Sequence, residues 1–155
     1  MRRFLPLVLI FGLVVEATTA AAVRGKEAKY IGGTVTALPE NTEGKIELAQ
    51  SAAEFTAKGD AKLIIPYDKI DSLEYGQKAG RRLGLSLAVS PLFLLSKKRR
   101  HFLTLNFVDE TGKKQGAVFE LSKGIVHETL SMLETKTGKK VEYESDEARK
   151  HAETR

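Results

Sequence analysis

Cysteine is missing from all 155 residues. That excludes disulfides, a lipid attached through a processed cysteine and any thiol nucleophile, so packing alone must hold the fold. Histidine is scarce, with three residues at 101, 127 and 151 and no spacing that gathers them with carboxylates as metal ligands. His101 reads as the end of a basic run and His127 as a helix-surface residue. No serine lies in a nucleophile elbow or beside a paired base. Gly32-Gly33 and the GQKAGRR segment at 76–82 lack the helix-opening pattern of a phosphate loop. Asp109 and Glu110 read as hairpin-turn residues rather than catalytic carboxylates. The expectation is a non-enzymatic chain with no cofactor and no metal.

What is present bounds the class. Charged residues make up 29% and apolar ones 42%, a globular balance, and 155 residues suit one domain with a real core. The N-terminus has the order of an export signal: Arg2 and Arg3, an apolar run over 4–15, then Ala20, Ala21 and Ala22 at a peptidase site. Cleavage is expected after Ala22, which places the protein in the periplasm or cell envelope of a bacterium. As a retained anchor, the run falls short of the roughly 20 residues a helix needs to cross hydrocarbon. Removing 1–22 takes away Arg2, Arg3 and Glu16 and lowers the formal charge from +5 to +4.

Residues 23–28, VRGKEA, read as a linker. Period-two alternation then predicts seven strands. In KYIGGTVTAL, Ile31, Gly33, Val35 and Ala37 share a side, and the two glycines suggest a bulge or a close backbone approach. KIEL places Ile46 and Leu48 inward, and a short strand at 54–57 carries Phe55. AKLIIPY sets Leu63 and Ile65 against Ile64, with Pro66 at a strand end because it has no N–H to donate. DKIDSLEYG aligns Leu73 with Tyr75. HFLTLNFVD aligns Leu103, Leu105 and Phe107 against Thr104 and Asn106, and a turn at 110–113 leads to KQGAVFEL, with Ala117, Phe119 and Leu121 inward. The period changes after Leu121: Ser122 reads as an N-cap, with Ile125, Val126, Thr129, Leu130 and Leu133 at helical spacing until Gly138. KKVEYE fits a short final strand, and residues 145–155 read as a polar tail, a frayed helix or disordered.

These strands form a β domain without residues 77–100, which makes that stretch an apolar and basic insertion between the fifth and sixth strands. Residues 83–95 carry no charge, with Arg81 and Arg82 before them and Lys97, Lys98, Arg99 and Arg100 after them. As a helix they span about 20 Å, short of a ~30 Å hydrocarbon core. As a strand, Leu83, Leu85, Leu87 and Val89 alternate until Pro91. Both conformations remain open.

The segments IPYDKIDSLEYG at 65–76, KKRRHFLTLNFVDETGK at 97–113 and AVFEL at 117–121 resemble the pleckstrin-homology superfold in its bacterial, GRAM-like branch, and in particular a group of exported bacterial proteins with no assigned activity. The resemblance covers roughly 29–144 and implies a mainly β, α+β fold: a seven-stranded barrel capped by a C-terminal amphipathic helix. The superfold binds phosphoinositides, other lipids or peptides. The basic first-hairpin loop of its phosphoinositide binders has no counterpart, since residues 38–44, LPENTEG, are acidic.

Function is therefore expected at the insertion. Leu83, Leu85, Leu87, Leu92, Phe93 and Leu94 would dip into a membrane interface while Arg81, Arg82, Lys97, Lys98, Arg99 and Arg100 meet anionic head groups, each worth about 1 kcal/mol near such a surface. The alternative is a soluble periplasmic domain that offers the insertion or a sheet edge to a protein partner, and a third possibility is that the loop folds back over the end of the barrel. The KKRR run at 97–100 has no interleaved aromatics, so nucleic acid is not an expected partner.

Overall fold

The computed structural model describes residues 23–76 and 100–154. Among them, eight strands form one sheet: β1 (Val23–Gly33), β2 (Thr42–Leu48), β3 (Ala52–Ala57), β4 (Lys62–Pro66), β5 (Ile70–Gly76), β6 (His101–Val108), β7 (Lys114–Leu121) and β8 (Val141–Tyr143). Two helices follow the sheet strands, α1 (Val126–Thr137) before β8 and α2 (Asp146–Glu153) after it. The strand order is β4-β3-β2-β1-β7-β6-β5-β8.

The sheet is open, a correction to the expected seven-stranded barrel. β8 pairs in parallel with β5, Leu73 opposite Val141 and Tyr75 opposite Tyr143. It thereby takes the edge of β5 that closure against β4 would require. β4 and β8 are left as the two edge strands.

β1 joins the two halves. Its first part, residues 23–30, pairs with β2, and its second, 28–33, pairs with β7. The stretch read as a linker, 23–28, is therefore strand. The inward residues are Ala28 and Tyr30, the opposite phase from the one expected for Ile31 and Gly33. A register shift between Tyr30 and Gly32 accounts for the misreading. The close approach expected at the glycines is found: a Cβ on Gly33 would collide with the Gly116 carbonyl. Thr34 and Gln115 share a side-chain hydrogen bond beside it.

Alternation places Ile46, Leu48, Phe55, Leu63, Ile65, Leu73, Leu103, Leu105, Ala117, Phe119 and Leu121 in one core, as the sequence predicts. At its centre the rings of Tyr30, Phe55 and Phe119 pack with centroids 5.3 to 6.3 Å apart. Such pairs add about 0.5–1.5 kcal/mol each beyond area burial. Burial pushes the Tyr30 hydroxyl up to about 12, with the Glu40 carboxylate adding to the effect.

Ser122 opens a single 3₁₀ turn, Lys123–Ile125, rather than capping α1 with its side chain. α1 buries Val126, Thr129, Leu130 and Leu133 against the core and ends where Gly138 turns left-handed at φ 68°. Residues 145–155, expected to be a frayed or disordered polar tail, contain α2. Ser145 accepts from the Ala148 N–H at 3.2 Å, acidic Asp146 and Glu147 fill the first turn, and Ala152 is only 2% exposed.

Candidate functional site

The two ends of the insertion emerge side by side. β5 and β6 pair antiparallel from Ile70 opposite Phe107 to Gly76 opposite Phe102. Residues 77–99 thus join two adjacent strand ends. Of the predicted contact residues, Arg81, Arg82, Leu83, Leu85, Leu87, Leu92, Phe93, Leu94, Lys97, Lys98 and Arg99 lie outside the described residues.

Arg100 is described, and it is engaged with the domain. Its Nη1 lies 3.0 Å from Glu120 Oε2 on β7, with the two side chains 27% and 25% exposed. Partial burial and a directed N–H···O bond strengthen this pair relative to a surface one. Arg100 therefore ties the chain entering β6 to β7.

The next residue was misassigned by its neighbours in sequence. His101 is half-buried and stacks on Tyr75, ring planes 14° apart, with its Nδ1 2.6 Å from the Tyr75 hydroxyl. Desolvation holds the imidazole below its ordinary 6.5, with His151 and Lys123 adding to the effect and Glu120 opposing it. Burial pushes Tyr75 up to about 12, with Tyr143 contributing. The phenol therefore keeps its proton, and since a phenol both donates and accepts, it can bond Nδ1 of either His101 tautomer. Tyr75 meets Tyr143 of β8 edge-on at 6.0 Å, and the Arg149 guanidinium of α2 sits 5.3 Å from the Tyr143 ring centroid. The root of the insertion is thus wired to the C-terminal helix.

A row of opposite charges crosses the sheet outward from Arg100. Glu120 is registered opposite Lys29, Lys29 opposite Glu43, and Glu43 bonds Lys58. This row borders a hollow of about 560 Å³ formed by residues 27–29, 43–45, 56–58 and 120–122. Alternating signs give the hollow no preference for an ion of either charge.

β6 and β7 are buried on both faces. Thr104 and Asn106 point away from the core as expected, yet Thr104 is 0% and Asn106 9% exposed, beside Phe102 at 6% and Val118 at 1%. Asn106 Nδ2 donates to Ser72 Oγ and Glu74 Oε1. Among the described residues, Thr104 Oγ1 and Asn106 Oδ1 have no hydrogen-bond partner. Asp109 is a turn residue, accepting from Thr111 N, Thr111 Oγ1, Lys113 N and Gln115 Nε2, bonds that hold its carboxyl well below the usual carboxylate range.

Among the described residues, no helix is long and apolar enough to cross a membrane, and no three His, Asp or Glu side chains gather as metal ligands. No protein-family model matches the chain, and no curated protein matches it.

Proposed function

We propose that this chain is an exported, non-enzymatic binding or scaffold module of pleckstrin-homology-like architecture that meets an anionic membrane surface through residues 83–95 and their basic flanks. Seven strands in antiparallel neighbour order, then a core-facing amphipathic helix, support the architecture. The observation that carries the functional reading is the β5–β6 pairing, which is complete up to Gly76 and Phe102. An uncharged 13-residue run between paired strand ends is not needed to connect them, and its composition suits an interface that is apolar within and anionic at the surface.

Co-sedimentation of the full chain with vesicles tests the reading. Wild type binds phosphatidylglycerol-containing vesicles and is released by salt, because each exposed Lys or Arg contributes about 1 kcal/mol near an anionic surface. Leu87→Asp and Phe93→Asp abolish binding without changing the thermal unfolding midpoint. The apolar run at 4–15 is present in every sample, so it cancels from the comparison. Equal binding by the variants contradicts the reading, and their unfolding would make the run a core element instead.

A second reading, a protein-interaction domain, is favoured by one observation. β4 is an edge strand, and its Ile64 is 54% exposed. Such an edge offers main-chain groups to an added strand.

A further inference from the structure

β4 is the longer free edge of the sheet, and its ladder shows which main-chain groups it offers. Among the described residues its one neighbour is β3. At the two ends of that pairing, the Ala57 N–H donates to the Ala61 carbonyl at 2.8 Å and the Tyr67 N–H to the Ser51 carbonyl at 3.1 Å. An antiparallel ladder bonds every second residue, so Leu63 and Ile65 also turn their main-chain groups to β3. Lys62, Ile64 and Pro66 turn theirs outward, and all three residues are exposed. The free edge therefore holds the N–H and C=O of Lys62 and Ile64 and, since proline has no N–H, only the C=O of Pro66.

The opposite edge is different. β8 has three residues, and α2 lies against it with Arg149 over the Tyr143 ring. Short, covered edges resist an added strand, and a longer exposed one invites it. β4 carries the usual guards at its ends, a lysine and a proline. At its centre, however, stands Ile64, the one large apolar residue exposed among the described residues.

We propose that the β4 edge pairs antiparallel with the β4 edge of a second copy of this chain, about a two-fold axis at Ile64. This register overlaps the whole strand, Lys62–Pro66. The two Ile64 residues exchange N–H···O bonds, and each Lys62 N–H reaches the Pro66 carbonyl of the other copy, so each chain donates twice and accepts twice. The missing proline N–H falls opposite the Lys62 carbonyl at the rim of the contact, where water replaces it. The exposed Ile64 side chains meet across the axis, Leu63 faces Ile65 on the core side, and each Lys62 stands opposite a proline rather than a like charge. That self-complementarity selects a second copy over an unrelated strand. Because the contact occupies the β4 edge of both copies, assembly closes at the dimer. The inference gives the protein-interaction reading a definite partner and does not depend on the membrane reading.

Sedimentation equilibrium of the full chain without vesicles tests the pairing. A contact of this length is small beside the roughly 20–30 residues a side of a stable interface, so the dimer forms only at high concentration. Wild type passes from one chain mass toward two between about 10 µM and about 1 mM, the weak end of the affinity scale. Ile64→Lys sets like charges opposite each other and stays at one chain mass, with an unchanged thermal midpoint. The chain has no cysteine, so Ile64→Cys reports the register. Partners in a hydrogen-bonded pair have Cα atoms about 5.5 Å apart, within disulfide range, and oxidation links Ile64→Cys chains into dimers. Glu54→Cys, registered opposite Ile64 on β3, stays unlinked, because its two copies lie three strand spacings, about 14 Å, apart. A wild type of one chain mass throughout overturns self-pairing, without bearing on whether the edge accepts a strand of another protein. Association that Ile64→Lys shares, as self-association of residues 4–15 would give, also overturns it. So does cross-linking of Glu54→Cys as fast as Ile64→Cys. If Ile64→Lys unfolds, the two cysteine variants decide alone.

Discussion

The outward face of β2, β3 and β4 and the outward face of β5, β6 and β7 belong to one sheet, yet they are built for different surroundings. On the first, Lys45, Glu47, Glu54, Thr56 and Ile64 are exposed or half-exposed. On the second, Phe102, Thr104, Asn106 and Val118 are buried, and Ser72 and Glu74 are bound to Asn106. An antiparallel sheet tolerates water on one face, so the first half is ordinary. The second half is covered on both sides, and it is the half that carries the insertion. Among the described residues, β6 and β7 are therefore the most enclosed part of the sheet.

Mutations at matched positions sharpen this contrast. The largest effect is expected at Val118, where Val118→Asp places a carboxylate at a 1% exposed site and costs about 3–5 kcal/mol in urea unfolding. Ile64→Asp, at 54% exposure on β4, changes stability by less than about 0.5 kcal/mol. Similar losses at the two sites would erase the distinction. Next, Phe102→Ala costs about 3 kcal/mol, whereas Glu54→Ala on the other outward face stays within about 0.5 kcal/mol. Thr104→Val has the opposite sign. Its hydroxyl is buried without a partner among the described residues, so the apolar isostere raises stability by about 1 kcal/mol, and a loss would mean that the hydroxyl finds a donor or acceptor in solution. The smallest effect is expected at Lys58→Ala, whose ion pair with Glu43 is solvent-exposed on both sides, and the thermal midpoint should not move.

The contrast also explains which parts of the fold were legible in the sequence. On β2 and β4 the exposed partners of Ile46, Leu48, Leu63 and Ile65 are mostly polar, so period two and burial agree. On β6, the polar residues Thr104 and Asn106 alternate correctly but are buried, because alternation reports a face and not what covers it. β1 was read in the wrong phase, since Gly32 and Gly33 interrupt its register and its first six residues offer no apolar alternation. Closure of the sheet turned on β8, three residues long and paired in parallel with β5, Leu73 opposite Val141, far earlier in the chain, which no local pattern encodes.

The site was partly visible. The basic and apolar composition of 81–100 stands out in the sequence, and of these residues only Arg100 is among the described ones. The role of Arg100 was not visible, because its partner Glu120 lies at the far end of the β6–β7 hairpin, 20 residues along the chain. His101 was hidden by the basic run before it, although a β5–β6 hairpin aligned on Tyr75 and Leu103 would have brought it to the Tyr75 ring. The capping signals of α2, Ser145 with Asp146 and Glu147, were local and readable. Its docking through Ala152 and the His127 side chain was not, since one alanine in a charged segment carries no amphipathic signal.

A chain without cysteine permits one decisive measurement. A polarity-sensitive fluorophore is attached to Leu87→Cys and, in a second sample, to Ile64→Cys on the exposed face of β4. Each protein is then mixed with anionic vesicles. The account predicts a blue shift and quenching by bilayer-embedded quenchers at position 87, reversed by salt, with no change at position 64. No response at 87, or the same response at both positions, would contradict it.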